Sequence, residues 1–299
     1  LAGRVPQVIS GGIPASRFIF ARREGWEVDV SAEWKTSTVS DKRRLLAFLE
    51  TDRLYAAYAI GDLEPELFAQ CEWTGAHQDG AMRSLGLHYR GLSPGALFLM
   101  GDPDGLRVLL KGGRNPQTAW ITFRAEHLPA VEGSFAWDGG PHPMWRMALQ
   151  RRDIPAVETA CRRLSAEDAA SVSELAGHWE LPGFAAGQIE RGVFYGIFED
   201  GRPAALAGTH LVSPRYGVAG VGNIFTHPDR RRRGLGRATV SAVLAELIRM
   251  GIRDIVLNVR RDNAPAIRLY ESLGFARHCG FFEGLASRRG IGAAPAAAS

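Results

Sequence analysis

The hydrophobic pattern of the second half of the chain switches between short apolar runs and helical spacing. Ser165-Ala166-Glu167-Asp168 has the make-up of a capped helix start with an acidic first turn, predicting a helix to about residue 178. A second short helix is expected over 184–190. Three apolar runs follow, over 193–198, 204–212 and 218–225, and read as strands. Glu199-Asp200-Gly201-Arg202 joins the first two as a hairpin turn, and 213–217 turns the chain into the third. Helical spacing over 238–250, a strand over 254–259, a helix over 263–273 and a last strand near 275–282 complete the order. In the final helix Asn263 reads as N-cap, Pro265 fits the first turn, and Gly274 ends the helix.

Residues 36–150 have a similar rhythm. Ser40-Asp41 opens a helix through Leu49, and 55–60 suggests another. Strands are expected at 85–89, 96–100, 119–123 and 144–147, with a short helix at 106–110. The chain therefore divides into 1–35, mostly loop; an α/β domain over 36–150; a second α/β domain over 160–287; and a disordered tail over 288–299.

Composition excludes several classes. At 299 residues, with 45% hydrophobic and 23% charged, the chain can bury a substantial core. Cys71, Cys161 and Cys279 are far apart and odd in number, and the histidines are scattered. No metal site or disulfide framework is expected, and a reducing cytoplasm suits the chain. No apolar run reaches the length of a membrane span. A net charge of +4 suits a polyanionic ligand without requiring nucleic acid.

The densest chemistry lies at Thr226-His227-Pro228-Asp229-Arg230-Arg231-Arg232-Arg233-Gly234-Leu235-Gly236-Arg237, between a strand and a helix. Glycines admit a ligand close to the main chain, and the first helical turn offers unpaired N–H groups at the positive end of its dipole. This is a phosphate cradle. It is neither the G-x-G-x-x-G dinucleotide turn nor the P-loop. A solvated basic turn is one alternative. A nucleic-acid patch is another, and the lack of interleaved aromatic residues counts against it.

Arg231-x-x-Gly234-x-Gly236 resembles the acetyl-CoA loop of the GNAT acyltransferases. Asn263-x-x-Ala266-x-x-x-Tyr270-x-x-x-Gly274-Phe275 resembles that family's second signature, at the expected distance downstream. The resemblance implies a mixed-sheet α/β (α+β) fold with splayed central strands over 160–287. Residues 36–150 are expected to be a degenerate GNAT-like domain, with an unrelated α/β domain as the alternative. Their Gly101-Asp102-Pro103-Asp104-Gly105 join lacks the motif and carries carboxylates that repel a pyrophosphate.

By the same resemblance, the cofactor is acetyl-CoA, used as a co-substrate. The loop amides of Arg232, Arg233, Gly234, Leu235, Gly236 and Arg237 would hold its pyrophosphate, beside Arg231. The backbone of Ile224, Phe225 and Thr226 would pair with the pantetheine arm, Asn263 would touch it, and Tyr270 would protonate the departing thiolate. The expected reaction is direct N-acetylation of an amine, small-molecule or peptide, in a ternary complex. Asn223 stands where a basic carboxylate is often found. His210, His227 and Glu180 are the other candidates for the base, which stays unassigned. The acidic run 62–66 is a candidate to face a cationic acceptor. An acyl-CoA sensor with little turnover is the alternative function.

Overall fold

A computed structural model describes residues 33–112, 114–154, 161–173 and 187–290. The expected helices to 178 and from 184 lie partly outside these residues. Glu180, most of the N-terminal extension and the tail from 291 lie wholly outside.

The N-terminal arm runs β1 (Lys35–Thr38), α1 (Lys42–Leu49), α2 (Ala57–Gly61), α3 (Pro65–Phe68), β2 (Cys71–Gln78), β3 (Ala81–Tyr89), β4 (Gly95–Gly101), α4 (Pro103–Lys111), β5 (Thr118–Phe123), α5 (Leu128–Glu132), β6 (Phe135–Trp137) and β7 (His142–Leu149). The C-terminal arm runs β8 (Arg162–Arg163), α6 (Gly187–Arg191), β9 (Tyr195–Glu199), β10 (Arg202–Ser213), β11 (Val218–Thr226), α7 (Leu235–Arg249), β12 (Asp254–Arg260), α8 (Ala264–Ser272) and β13 (Phe275–Arg288). The α/β class with a mixed sheet holds. Asp41 caps α1 as expected, its carboxylate accepting from Arg43 N at 2.9 Å.

One 13-stranded sheet joins the two arms, in the order β1-β2-β3-β4-β5-β13-β7-β12-β11-β10-β9-β8, with β6 on β13. The last strand of each arm has crossed over. β7 lies against β12 of the C-terminal arm, and β13 lies against β5 of the N-terminal arm. The segments 36–150 and 160–287 thus map onto two arms of one sheet whose terminal strands are exchanged.

Burial explains the layering. In α7 the buried positions Val240, Val243, Leu244 and Leu247 form a stripe at helical spacing. Each is fully enclosed, which contributes roughly 1.5–3 kcal/mol per side chain. They pack with Leu257, Val259 and Tyr270 on one face of the sheet. Val218, Val256, Ala148 and Phe281 face the other way, into a cluster with Tyr55, Ile60 and Tyr58 of the N-terminal arm. Among the described residues no helix is long and apolar enough to cross a membrane.

Several elements differ from the sequence expectation, which did not include α3, α5, β6 or β8. β1 is a fully exposed edge strand of Lys, Thr and Ser, so it carries no apolar signal. β2 contains Glu72, Gly75 and His77, which break its alternation. β13 continues past residue 282 to Arg288, because Glu283 and the residues after it pair with β5. Residues 288–290 are likewise placed, with Arg289 N donating to Ser134 O at 2.9 Å.

Candidate active site

The parallel pairing of β11 with β12 runs from Val218–Asp254 to Val221–Leu257 and then stops, although the strands continue to Thr226 and Arg260. Two bulges accompany the parting. One lies on β11 between the Leu206 and Gly208 pairs, where Asn223 takes a positive φ of 50°. The other lies on β10 between the Thr209 and Leu211 pairs, at His210. Asn is among the few residues that adopt this backbone region readily. A bulge sharpens local twist, so the two together turn the end of β11 away from β12. The expected splay is present. It leaves the β12-facing backbone edge of Ile224, Phe225 and Thr226 without a strand partner.

Beyond Thr226 the chain makes a short turn, Pro228–Arg230, and enters α7 at Gly234, whose φ is +79°. Arg231 N donates to Pro228 O, and Ala238 N to Gly234 O. Between them, the six amides of residues 232–237 donate to nothing among the described residues. A Cβ built on Gly234 meets no protein atom within 4 Å, so the space beside that residue is open. Unpartnered N–H groups at a helix start beside such a space fit a diphosphate.

The arginines of the loop have divided roles. Arg230 and Arg233 both bind Glu199, at 2.9 and 2.8 Å, and Arg231 Nε donates to Thr226 O at 3.3 Å. These contacts hold the loop in shape. Arg232, at φ 62°, and Arg237, which reaches Ser272 Oγ at 3.1 Å, stand nearest the amide row in sequence.

Asn263 Oδ1 accepts from Ala266 N at 3.2 Å and so caps α8. That leaves its Nδ2 as the group able to touch a ligand. Tyr270 lies two turns further on, 7% exposed, packed edge-on against Phe275. Its hydroxyl makes no hydrogen bond among the described residues, and burial pushes its pKa up to about 12.

Asn223 is buried. Its Nδ2 donates to Gln188 Oε1 at 3.1 Å, while its Oδ1 has no partner. The His210 ring lies where a Cβ of Gly222 would fall, which explains glycine there. Burial, reinforced by the Arg146 charge, lowers its pKa to about 4. His210 is therefore neutral at pH 7, able to accept a hydrogen bond but a weak holder of a proton. His227 Nδ1 accepts from Asp229 N at 3.3 Å and caps the turn.

A cavity of about 1270 Å³ opens on the sheet face opposite Tyr270. His210, Gln188 and Asn258 line it, together with Arg146 and Glu283 from the exchanged strands and Tyr58 and Asp62 from α2 and its end. The acidic run 62–66 contributes Asp62, Glu64 and Glu66 to its wall. Sequence reasoning missed Tyr58, Arg146, Asn258 and Glu283. The one local hint was a charged residue inside an otherwise apolar strand, at Arg146 in Met144-Trp145-Arg146-Met147.

The N-terminal arm has a counterpart of the slot. β4 and β5 pair from Gly95–Ala119 to Phe98–Thr122, and β4 then runs on to Gly101. Here the helix start is already capped. Asp102 accepts from Asp104 N at 2.8 Å and Gly105 N at 3.4 Å. His127 Nε2 lies 2.9 Å from Gly101 O, and an Arg124–Asp52 ion pair closes the same region.

Residues 160–275 match the model of the Acetyltransferase (GNAT) family. A ribosomal-protein alanine N-acetyltransferase of Escherichia coli is 41% identical over 97 residues, which is 32% of this chain and 64% of that protein. A mycothiol acetyltransferase of Clavibacter michiganensis is 32% identical over 198 residues, covering 61% of this chain and 59% of the relative. The chain thus spans less than two thirds of either. A tandem GNAT protein from the clavulanic acid biosynthesis pathway shares the fold, with a TM-score of 0.51 and 16% identity over 87% of this chain and all of that one.

Proposed function

With residues 160–275 forming a GNAT-family acetyltransferase domain, we propose that the chain moves an acetyl group from acetyl-CoA directly to a primary amine. The observation that carries this reading is the row of six unpartnered amides at the start of α7, continuous with the open edge of β11. The diphosphate takes the amide row, with Arg232 and Arg237 adding charge. The pantetheine arm takes the backbone of Ile224, Phe225 and Thr226, and Asn263 Nδ2 touches it from α8. The thioester then lies in the slot, between Tyr270 on one sheet face and the cavity on the other.

The amine enters from the cavity as the free base, and its nitrogen bonds to the thioester carbon. The carbon–sulfur bond breaks, the sulfur takes the Tyr270 hydroxyl proton as the pair departs, and the proton shed by the new amide nitrogen passes through water to restore the Tyr270 hydroxyl. Backbone N–H groups at the open edge of β11 would stabilise the charge that develops on the carbonyl oxygen. His210 accepts a hydrogen bond from the amine and orients its lone pair toward the slot. Asn223 holds Gln188 and cannot act as a base.

The test combines calorimetric titration with acetyl-CoA and release of free thiol across a panel of primary amines. Micromolar binding with amine-dependent thiol release is expected. A second reading, an acyl-CoA sensor, is favoured by the amide at position 223 where a basic carboxylate would stand. Tight binding with no thiol release from any amine establishes the sensor and ends the transfer reading.

A further inference from the structure

The cavity opposite Tyr270 contains carboxylates that no protein group neutralises. Asp62 follows the last turn of α2, and Glu283 lies on β13 between Thr122 of β5 and His142 of β7. Both line the cavity, and neither makes an ion pair or side-chain hydrogen bond among the described residues. Burial raises the Asp62 pKa to about 7 and also raises that of Glu283, which Arg146 only partly opposes. Half-buried carboxyl groups without a partner escape the cost of a buried charge by holding a proton near neutral pH, and a cation arriving with a ligand would favour their ionised form.

Two other charges of the wall are committed. Glu64 accepts from Ser213 Oγ at 2.5 Å, and Arg260 pairs with Asp262 at 2.9 Å. Arg146 is 1% exposed, lies over the rings of Tyr58 and Phe281, and gives one nitrogen to Tyr55 O at 3.1 Å. Arg191 also lines the cavity, nearer α6.

A second, independent observation marks the same place. Seven buried side-chain polar atoms lack a partner among the described residues, and four belong to this wall: Tyr58 Oη, Arg146 Nε and Nη1, and Asn258 Oδ1. Orphaned polar atoms are rare, and their concentration at one cavity points to a polar ligand rather than an apolar one. Asn258 is the first residue of β12 past its last pair with β11, so this cluster adjoins the slot. Glu283 is two strands away and four residues along, roughly 15 Å from Asn258 by strand spacing and rise. A charge read at Glu283 therefore belongs to a part of the acceptor remote from the nitrogen that reacts.

We infer that the acceptor is a small molecule carrying, besides the amine presented to the slot, at least one further ammonium group recognised by Asp62 and Glu283. The unpartnered Arg146 nitrogens then take an oxygen atom, from the acceptor or from an ordered water. The inference rests on the acyl-transfer reading and adds the class of acceptor to it.

The test compares spermidine with n-butylamine, which share a primary amine and differ in remote charge, at saturating acetyl-CoA. The wild-type chain is expected to use spermidine at least tenfold better in kcat/KM. Asp62→Asn and Glu283→Gln should each bring that ratio toward one, mainly through the KM for spermidine, with acetyl-CoA affinity retained and the melting temperature not lowered. Equal use of the two amines by the wild type overturns the inference. So does a preference that survives both substitutions, or acetyl-CoA binding with turnover of neither amine. Failure of the wild type to bind acetyl-CoA removes the transfer reading itself, and this inference with it.

Discussion

Tyr270 keeps its proton because nothing around it favours the phenolate: burial alone raises its pKa to about 12. In the proposed transfer such a donor gives up its proton only as charge builds on the departing sulfur, because a free thiolate is a weaker base than the phenolate left behind. Tyr270→Phe removes the hydroxyl and leaves the packing on Phe275. We expect kcat to fall roughly tenfold or more, with acetyl-CoA affinity by calorimetry unchanged; an unaltered kcat would show that water protonates the sulfur. Asp62 offers a prediction of a different kind. Its carboxyl pKa rises from 3.8 to about 7 in the folded chain, so the stabilisation is fully present below 3.8 and is lost as pH rises to 7. Cys71 and Tyr89 flank it, with Lys42, Arg90 and Arg191 around those two. Asp62→Asn should therefore melt like the wild type near pH 4 and at a higher temperature above pH 7. A variant that melts lower at pH 8 would reveal a partner for the ionised carboxylate. Tyr270 and Asn263 were singled out through the family resemblance, whose second signature places both on one short helix. Asp62 was singled out within the acidic run 62–66, but Arg146 and Glu283 were not, because segments far apart in the chain bring them to one cavity.

Two helix starts occupy matching places in the two arms, and their chemistry is opposite. At α7 six amides are open and Gly234 holds φ +79° with no protein atom near its missing side chain. Gly234→Asp puts a charge and a disfavoured backbone geometry at that point, so acetyl-CoA binding should be lost beyond detection. Gly234→Ala, with the strain alone, at about 1 kcal/mol, should weaken it only modestly. Equal losses in the two variants would assign the effect to backbone strain instead of charge. At α4 the Asp102 carboxylate already takes the amides that a phosphate would need. A titration should accordingly saturate at one acetyl-CoA per chain, and a second site would disprove the self-capped reading. This contrast could be read from the sequence, since glycines and aspartates at a strand-to-helix turn have direct consequences. The splay was expected only through the family resemblance. Its cause, the paired bulges at Asn223 and His210, left no mark in the apolar pattern.

At the scale of the whole molecule, the crossing of β7 and β13 determines what can fold alone. β7 lies between β12 and β13, and its Met147 and Leu149 are buried with Leu257 and Phe275 in the core beneath α7 and α8. The C-terminal segment by itself lacks that strand. β12 and β13 would then have unpaired backbone along the edges that β7 now covers, beside exposed apolar side chains, a combination that invites aggregation. β13 would in turn have no β5 to pair with from Glu283 to Ser287. The N-terminal arm also supplies α2, which packs on β10 and β11 and carries Tyr58 and Asp62 to the cavity. Residues 154–299 expressed alone should therefore show no cooperative melting transition and no acetyl-CoA binding. Co-expression with residues 33–153 should restore both. A soluble 154–299 fragment that melts cooperatively and binds acetyl-CoA would show the exchanged strand to be dispensable. The motif-bearing half would then be a self-sufficient acetyl-CoA site, to which the N-terminal arm adds only the wall that selects the acceptor.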